Sequence, residues 1–93
     1  MTARRILSNI RVLDFTHALA GPTTTRLMAE MGADIIKVEL APRGDMTRAM
    51  SYYKDGRSGY FIQQNRGKKS LCLDLRKSES VDLIKRLVVD TDV

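Results

Sequence analysis

The chain has one cysteine, Cys72, and a lone thiol forms no internal disulfide. A reducing compartment fits, and the cytoplasm is the expected location. Histidine is equally scarce: His17 stands alone, none of the paired His and Cys spacings that hold zinc exists, and no metal is expected. There is no apolar run of about 18 residues, which excludes a membrane-spanning helix and leaves no membrane partner expected. No low-complexity tract argues for disorder, and no repeat of solenoid length is visible. The start, Met1 to Leu7, faintly resembles a transit peptide, but strand-like residues follow within a few positions.

Acidic residues are the minority, 11 against 16 lysines and arginines, giving a formal charge of +5. Most of the excess lies from Arg43 onward and in the Arg4-Arg5 pair. A solvated basic face accounts for such a balance; an anionic partner is the alternative, whether a nucleotide-containing cofactor, nucleic acid or an acidic lipid surface. The basic residues form no single helical stripe, and no helix-turn-helix, zinc or RNP pattern accompanies them, so nucleic acid is not expected. With 93 residues the chain fits one small domain, and folding at that size hides only about 60–65% of the surface the unfolded chain exposes.

The pattern of residues alternates strand and helix. Ile10 to Phe15 is an apolar run of strand length that feeds the small-residue turn Ala20-Gly21-Pro22. Pro22 suits the first helical position, Leu27, Met28 and Met31 fall at helical spacing, and Gly32 stands where a left-handed cap is expected, predicting a helix from Pro22 to Met31. Asp34 to Glu39 carries consecutive apolar residues, as in a parallel strand covered on both faces. These three elements make a βαβ unit with a right-handed crossover.

Leu40 to Gly59 lacks a period and carries Pro42, Gly44, Gly56 and Gly59. It predicts a long surface excursion with at most one helical turn near Met46 to Tyr53. Tyr60 to Gln64 is a short ordered approach to a third strand, Ser70 to Leu75, in which Cys72 is expected as a small buried hydrophobe. Ser78 to Val89 predicts an amphipathic helix with Asp82 and Arg86 able to pair. Thr91 to Val93 looks like the lead-in to a fourth strand, and because a domain rarely ends there the chain is expected to be the N-terminal portion of a longer protein. The fold class is α/β, with Rossmann-like βαβ units and a parallel sheet, incomplete as given.

Open α/β sheets bind ligands beyond the carboxyl ends of their strands, which directs attention to the loops after Phe15, Glu39 and Leu75. The Ala20-Gly21-Pro22 turn opens a helix whose start favours an anion, or else it is a turn chosen for packing. It has neither dinucleotide nor P-loop spacing. Asn65-Arg66-Gly67-Lys68-Lys69 is a basic turn suited to phosphate, or simply a solvated turn before a strand. Arg76 can reach the same ligand from a strand end, or is an ordinary surface arginine. Gly44-Asp45-Met46-Thr47-Arg48 reads as a local turn in which Asp45 caps a short helix and pairs with Arg48. A lone histidine such as His17 is more often packed or hydrogen-bonded than catalytic.

Taken together, Val12-Leu13-Asp14-Phe15-Thr16-His17-Ala18-Leu19-Ala20-Gly21-Pro22, Gly44-Asp45-Met46-Thr47-Arg48 and Asn65 to Arg76 resemble, in order and spacing, the opening of the family III coenzyme A transferases, the CaiB/BaiF family. The resemblance implies that residues 1–93 are the N-terminal portion of a large CoA-binding domain in a two-domain enzyme that forms an interlocked homodimer. It implies acyl-CoA and a carboxylic acid as partners, and coenzyme A passing through an aspartyl-CoA thioester. The nucleophilic aspartate of the family lies downstream of the matched region, so none of Asp14, Asp34, Asp45 or Asp74 inherits its role and no catalytic residue is expected here. By the family's pattern Ala18 and Leu19 approach the acyl-thioester end, and Leu73, Asp74, Leu75 and Arg76 border the adenine and ribose. Lys68 and Lys69 belong to the phosphate-binding turn, and Arg43 substitutes for a basic residue that some family members have where this chain has Leu40. Leu19 replaces a glutamine of the formyl-CoA transferases, which argues against that small polar substrate. An acyl-CoA racemase on the same scaffold, and a non-catalytic CoA- or nucleotide-binding module, are the alternatives.

Overall fold

The computed structural model describes residues 5–93; Met1 to Arg4 of the leader-like start lie outside them. Three parallel strands form the sheet: β1 (Arg11–Asp14), β2 (Asp34–Leu40) and β5 (Lys69–Leu73), in the order β1-β2-β5. Helix α1 (Ala20–Glu30) connects β1 to β2. Between β2 and β5 come a 3₁₀ turn (Met46–Ala49), a two-stranded hairpin of β3 (Tyr53–Lys54) and β4 (Arg57–Ser58), and α2 (Gly59–Asn65). Helix α3 (Ser78–Val89) follows β5 with the predicted bounds. The mixed α/β class and the parallel sheet are as expected. Among the described residues no helix is long and apolar enough to cross a membrane.

The apolar core is small. Val12, Ala33 and Ile35 are buried together, with Leu7, Ile10, Met28 and Ala29 packed around them. Val12 and Ile35 are register partners on β1 and β2, so the core lies where α1 covers the amino half of the sheet. Helix α1 stops as its sequence predicts. Gly32 takes φ +104°, which a residue with a Cβ adopts only under strain, and Ala33 N–H donates to Met28 O while Gly32 N–H donates to Ala29 O, both at 3.0 Å. That pair of bonds is a Schellman cap.

The helix begins two residues earlier than the sequence predicts, at Ala20, and places Pro22 within its first turn. The position is tolerated because the N–H that proline lacks has no acceptor inside a first turn. Gly21 is held by contact: a Cβ there would stand 2.3 Å from Thr16 Cβ. Gly21→Ala is expected to lower stability by about 1–3 kcal/mol, the scale of overpacking. A urea-unfolding midpoint equal to the wild type's would contradict this contact.

Other expectations need correction. Tyr60 to Gln64 is part of α2, capped where Ser58 Oγ accepts from Phe61 N–H at 3.3 Å and tied to α1 where Thr23 Oγ1 donates to Gln64 Oε1 at 2.7 Å. The β3–β4 hairpin was not foreseen; Asp55 and Gly56 both have positive φ, as a type I′ turn requires. Cys72 is exposed, because β5 is an edge strand of this sheet. Asp82 and Arg86 are not among the ion pairs of the described residues. Thr91 to Val93 form no strand, yet run beside β1: Leu13 N–H donates to Val93 O at 2.9 Å and Val93 N–H to Arg11 O at 3.2 Å.

Candidate functional site

Side chains on one face of a strand recur every second residue, and on β1 and β2 the buried face changes character midway. Val12 is followed by Asp14, and Ile35 by Lys37 and Glu39, all of them buried. Asp14 and Lys37 are register partners, but each forms its ion pair with a different neighbour. Lys68 Nζ lies 3.1 Å from Asp14 Oδ2, the two side chains 2% and 0% exposed. Lys37 Nζ lies 2.8 Å from Asp45 Oδ2, with 2% and 1% exposed.

Hydrogen bonds complete each pair. Asp14 accepts from Thr25 Oγ1 at 2.6 Å and from Thr16 N–H at 2.8 Å. Lys68 Nζ donates also to Pro22 O at 3.1 Å and to Asn65 Oδ1 at 2.8 Å. Lys37 Nζ donates to Thr16 O at 2.7 Å, which links the two pairs through one residue. Asp45 accepts from Thr47 N–H at 2.9 Å and so caps the 3₁₀ turn as the sequence predicts. Its ionic partner differs: Arg48 goes instead to Glu39, with Nε–Oε1 and Nη2–Oε2 both 2.7 Å. The reason is that Asp45 faces buried Lys37, which without it would lack a counter-charge.

The protonation of these groups follows from their partners. Burial works to raise the pKa of Asp14, Glu39 and Asp45, but hydrogen bonds and neighbouring cations outweigh it and all three end below ordinary carboxylate values. For Glu39, the Arg48 guanidinium, Asp45 N–H and the Ser70 hydroxyl bring the value from 4.5 to about 2. Burial pushes Lys68 below an ordinary lysine, against the pull of Asp14.

Over this network opens a cleft of about 370 Å³, at the carboxyl ends of β1 and β2. Its walls come from four segments: Phe15 to His17 after β1, Lys37 to Leu40 on β2, Gly44 to Met46 after β2, and Leu75 after β5. His17 is exposed there, not packed in the core. The lining is mostly apolar, and the charged groups that border it, Lys37, Glu39 and Asp45, are held in ion pairs.

The expected contact residues divide between two places. Leu75 lines the cleft, and its neighbours Leu73, Asp74 and Arg76 stand at the same end of β5. Ala18 follows His17 with φ +69°, and Leu19, 54% exposed, is the N-cap of α1. Arg43 is exposed next to Gly44. Arg76 is exposed and bonded to Asp74, Nε–Oδ1 3.0 Å. The basic turn is used internally: Lys68 is buried as described, Lys69 pairs with Asp34 at the start of β2, 3.1 Å, and Arg66 with Glu30 at 2.8 Å. Lys69 sits at the amino end of β5, away from the cleft. The sequence reading missed Lys37 and Glu39. Charged residues inside an otherwise apolar parallel strand were the signal that marks them.

Residues 7–93 match the family model for CoA-transferase family III. The chain is 47% identical over 92 residues to a succinyl-CoA:mesaconate CoA-transferase of Haloarcula hispanica, covering 94% of this chain and 23% of that protein. With a formyl-CoA:oxalate CoA-transferase of Afipia carboxidovorans it shares 39% over 90 residues, 96% of this chain and 21% of the other. Among solved structures, a CaiB/BaiF family protein from Brucella suis superposes with a TM-score of 0.88 at 36% identity, covering 97% of this chain and 25% of that one. The chain thus spans about a quarter or less of the length of these relatives.

Proposed function

Because the chain belongs to CoA-transferase family III and matches its N-terminal part, we propose that it supplies the coenzyme A-binding surface of an acyl-CoA:carboxylate CoA-transferase. The observation that carries this reading is the cleft beyond the carboxyl ends of β1 and β2, where parallel α/β sheets receive their ligands. Ala18 and Leu19, at the uncapped start of α1, face the acyl-thioester end. Leu73, Asp74, Leu75 and Arg76 border the adenosine, and Arg43 with Arg76 offers exposed guanidinium groups to its phosphates. Lys68 contributes from beneath, by fixing Asp14 and the first turn of α1.

In the reaction proposed for the whole enzyme, an aspartate carboxylate outside this chain attacks the thioester carbonyl and expels CoA thiolate. The thiolate then returns to the aspartyl carbonyl of the anhydride, releases the first acid and leaves the aspartyl-CoA thioester that the acceptor acid takes over. The enzyme is proposed to act as an interlocked homodimer in the cytoplasm.

Calorimetric titration of the intact gene product with CoA tests the surface. Arg43→Ala and Arg76→Ala are each expected to weaken CoA binding about fivefold, the modest scale of a solvent-exposed charge contact. Unchanged affinity in both would remove the phosphate assignment. Transfer of CoA to an added carboxylic acid, rather than solvent-deuterium uptake α to the thioester, is the expected activity and distinguishes the transferase from a racemase.

A further inference from the structure

One wall of the cleft is fastened to the central strand at two buried points, the Lys37–Asp45 pair already described and Glu39. Gly44 to Met46 line that side, and they lead into a single 3₁₀ turn with Met46 61% exposed. The second of these attachments is made by Glu39 on the central strand. Arg48 grips both carboxylate oxygens at 2.7 Å, Asp45 N–H donates to Oε1 at 2.8 Å, and the Ser70 hydroxyl donates to Oε2. The carboxylate therefore ties three chain segments together: its own strand, β5 through Ser70, and the wall through Asp45 and Arg48. Helix α2 joins from the other side, with the Phe61 ring centroid 3.9 Å from the Arg48 guanidinium carbon.

Gly44 is an independent sign that this contact sets the position of the wall. A Cβ there would stand 2.6 Å from Glu39 Oε1 and 3.2 Å from Arg48 Nε, and φ is +76°. The backbone comes this close to the ion pair because the residue has no side chain. Glu39 borders the cleft but its side chain is 1% exposed, and both carboxylate oxygens are taken by Asp45 N–H, Arg48 and Ser70.

We propose that Glu39 is a positioning residue that fixes the Gly44–Met46 wall and thereby shapes the cleft for its ligand. The proposal rests on the coenzyme A-binding reading of the same cleft. Removing the charge of Glu39 loosens the wall locally, leaving it the Lys37–Asp45 pair alone, and leaves the amino half of the sheet in place, since Val12 and Ile35 pack against α1 and not against this segment.

The test is amide hydrogen exchange together with CoA titration on the intact gene product. In Glu39→Gln, the amides of residues 45–50 are expected to exchange at least tenfold faster and CoA to bind about tenfold more weakly, with exchange at Val12 and Ile35 unchanged. Arg48→Lys keeps the charge but loses the two-pronged contact, and should give a smaller change of the same kind; it decides the matter if Glu39→Gln does not fold. Glu30→Gln, which breaks only the exposed pair with Arg66, should alter neither readout. Unchanged exchange at 45–50 in both test variants overturns the proposal. So does faster exchange with undiminished CoA affinity, an outcome that leaves the binding reading intact. Acceleration everywhere, including Val12 and Ile35, assigns Glu39 a purely structural role and overturns it as well. A wild-type protein that binds no CoA refutes the functional reading instead, and the exchange data alone then decide whether Glu39 holds the wall.

Discussion

Lys68→Met is expected to destabilise the protein by about 3–5 kcal/mol, the scale for breaking a buried ion pair from one side. The substitution keeps the length of the side chain and removes its charge, leaving Asp14 fully buried with Thr16 and Thr25 as its remaining donors. Pro22 O and Asn65 Oδ1 lose the same partner. Because Lys68 reaches from the turn before β5 to the end of β1 and the first turn of α1, the damage joins three elements that are distant in sequence. A second substitution separates charge from packing. Asp14→Asn in the Lys68→Met background removes the stranded carboxylate and is expected to recover part of the loss, giving a coupling of about 1–3 kcal/mol in the double-mutant cycle. Urea denaturation of the intact gene product supplies all four values. A loss below about 1 kcal/mol for Lys68→Met would place the ammonium in solvent, free for a phosphate, contrary to the geometry described.

Acid should unfold the protein cooperatively and early. Asp14, Glu39 and Asp45 have folded-state values below those of the unfolded chain. Depressed carboxylates contribute stability that is fully present above the unfolded value and is lost as pH falls through the folded one. For Glu39 that window runs from 4.5 down to about 2, and at about 1.4 kcal/mol per unit the ionised state contributes at most about 3–4 kcal/mol at neutral pH. Stability is expected to be level between about pH 7 and pH 5 with respect to these groups, then to drop steeply below about pH 4.5. The drop should be shallower in Glu39→Gln, whose stability is already lower at neutral pH. Denaturant midpoints recorded from pH 7 to pH 3 check this. Parallel curves for the two proteins would show that the Glu39 carboxylate is not held as the hydrogen bonds indicate.

Much of the fold was legible because its signals are local. The Ser78–Val89 helix follows from apolar spacing, the end of α1 from Gly32, and β1 and β2 from short apolar runs, each to within a residue or two. The hairpin was legible too and was passed over: Asp55-Gly56 is a strong two-residue turn signal, masked by flanking strands of only two residues each. Helix α2 was hidden because Gly59, Tyr60 and Phe61 are not strong helix formers, and its stability comes from the Ser58 cap and its contact with α1. At the site, the loops that meet at the cleft followed from the carboxyl-end rule and the motifs. The destination of each charge did not. Asn65 to Lys69 read as a phosphate turn because composition shows basic groups but not their partners, and Asp14, which neutralises Lys68, is 54 residues away in sequence. Asp45 and Arg48 suggested a mutual pair by spacing, whereas the strand beneath offered each of them a buried partner.

The switch along β1 and β2 from Val12 and Ile35 to Asp14, Lys37 and Glu39 also divides the sheet by what evolution can exchange. At the apolar end, Val, Ile and Leu substitute for one another when volume is kept, at a cost under about 1.5 kcal/mol. One register step further, a change of side chain is acceptable only with a simultaneous change in a partner from another segment. Two neighbouring positions on one strand should therefore drift at different rates, Ile35 singly and Lys37 only in concert with Asp45, and the ion-paired end of the sheet should keep its residues long after the apolar end has varied.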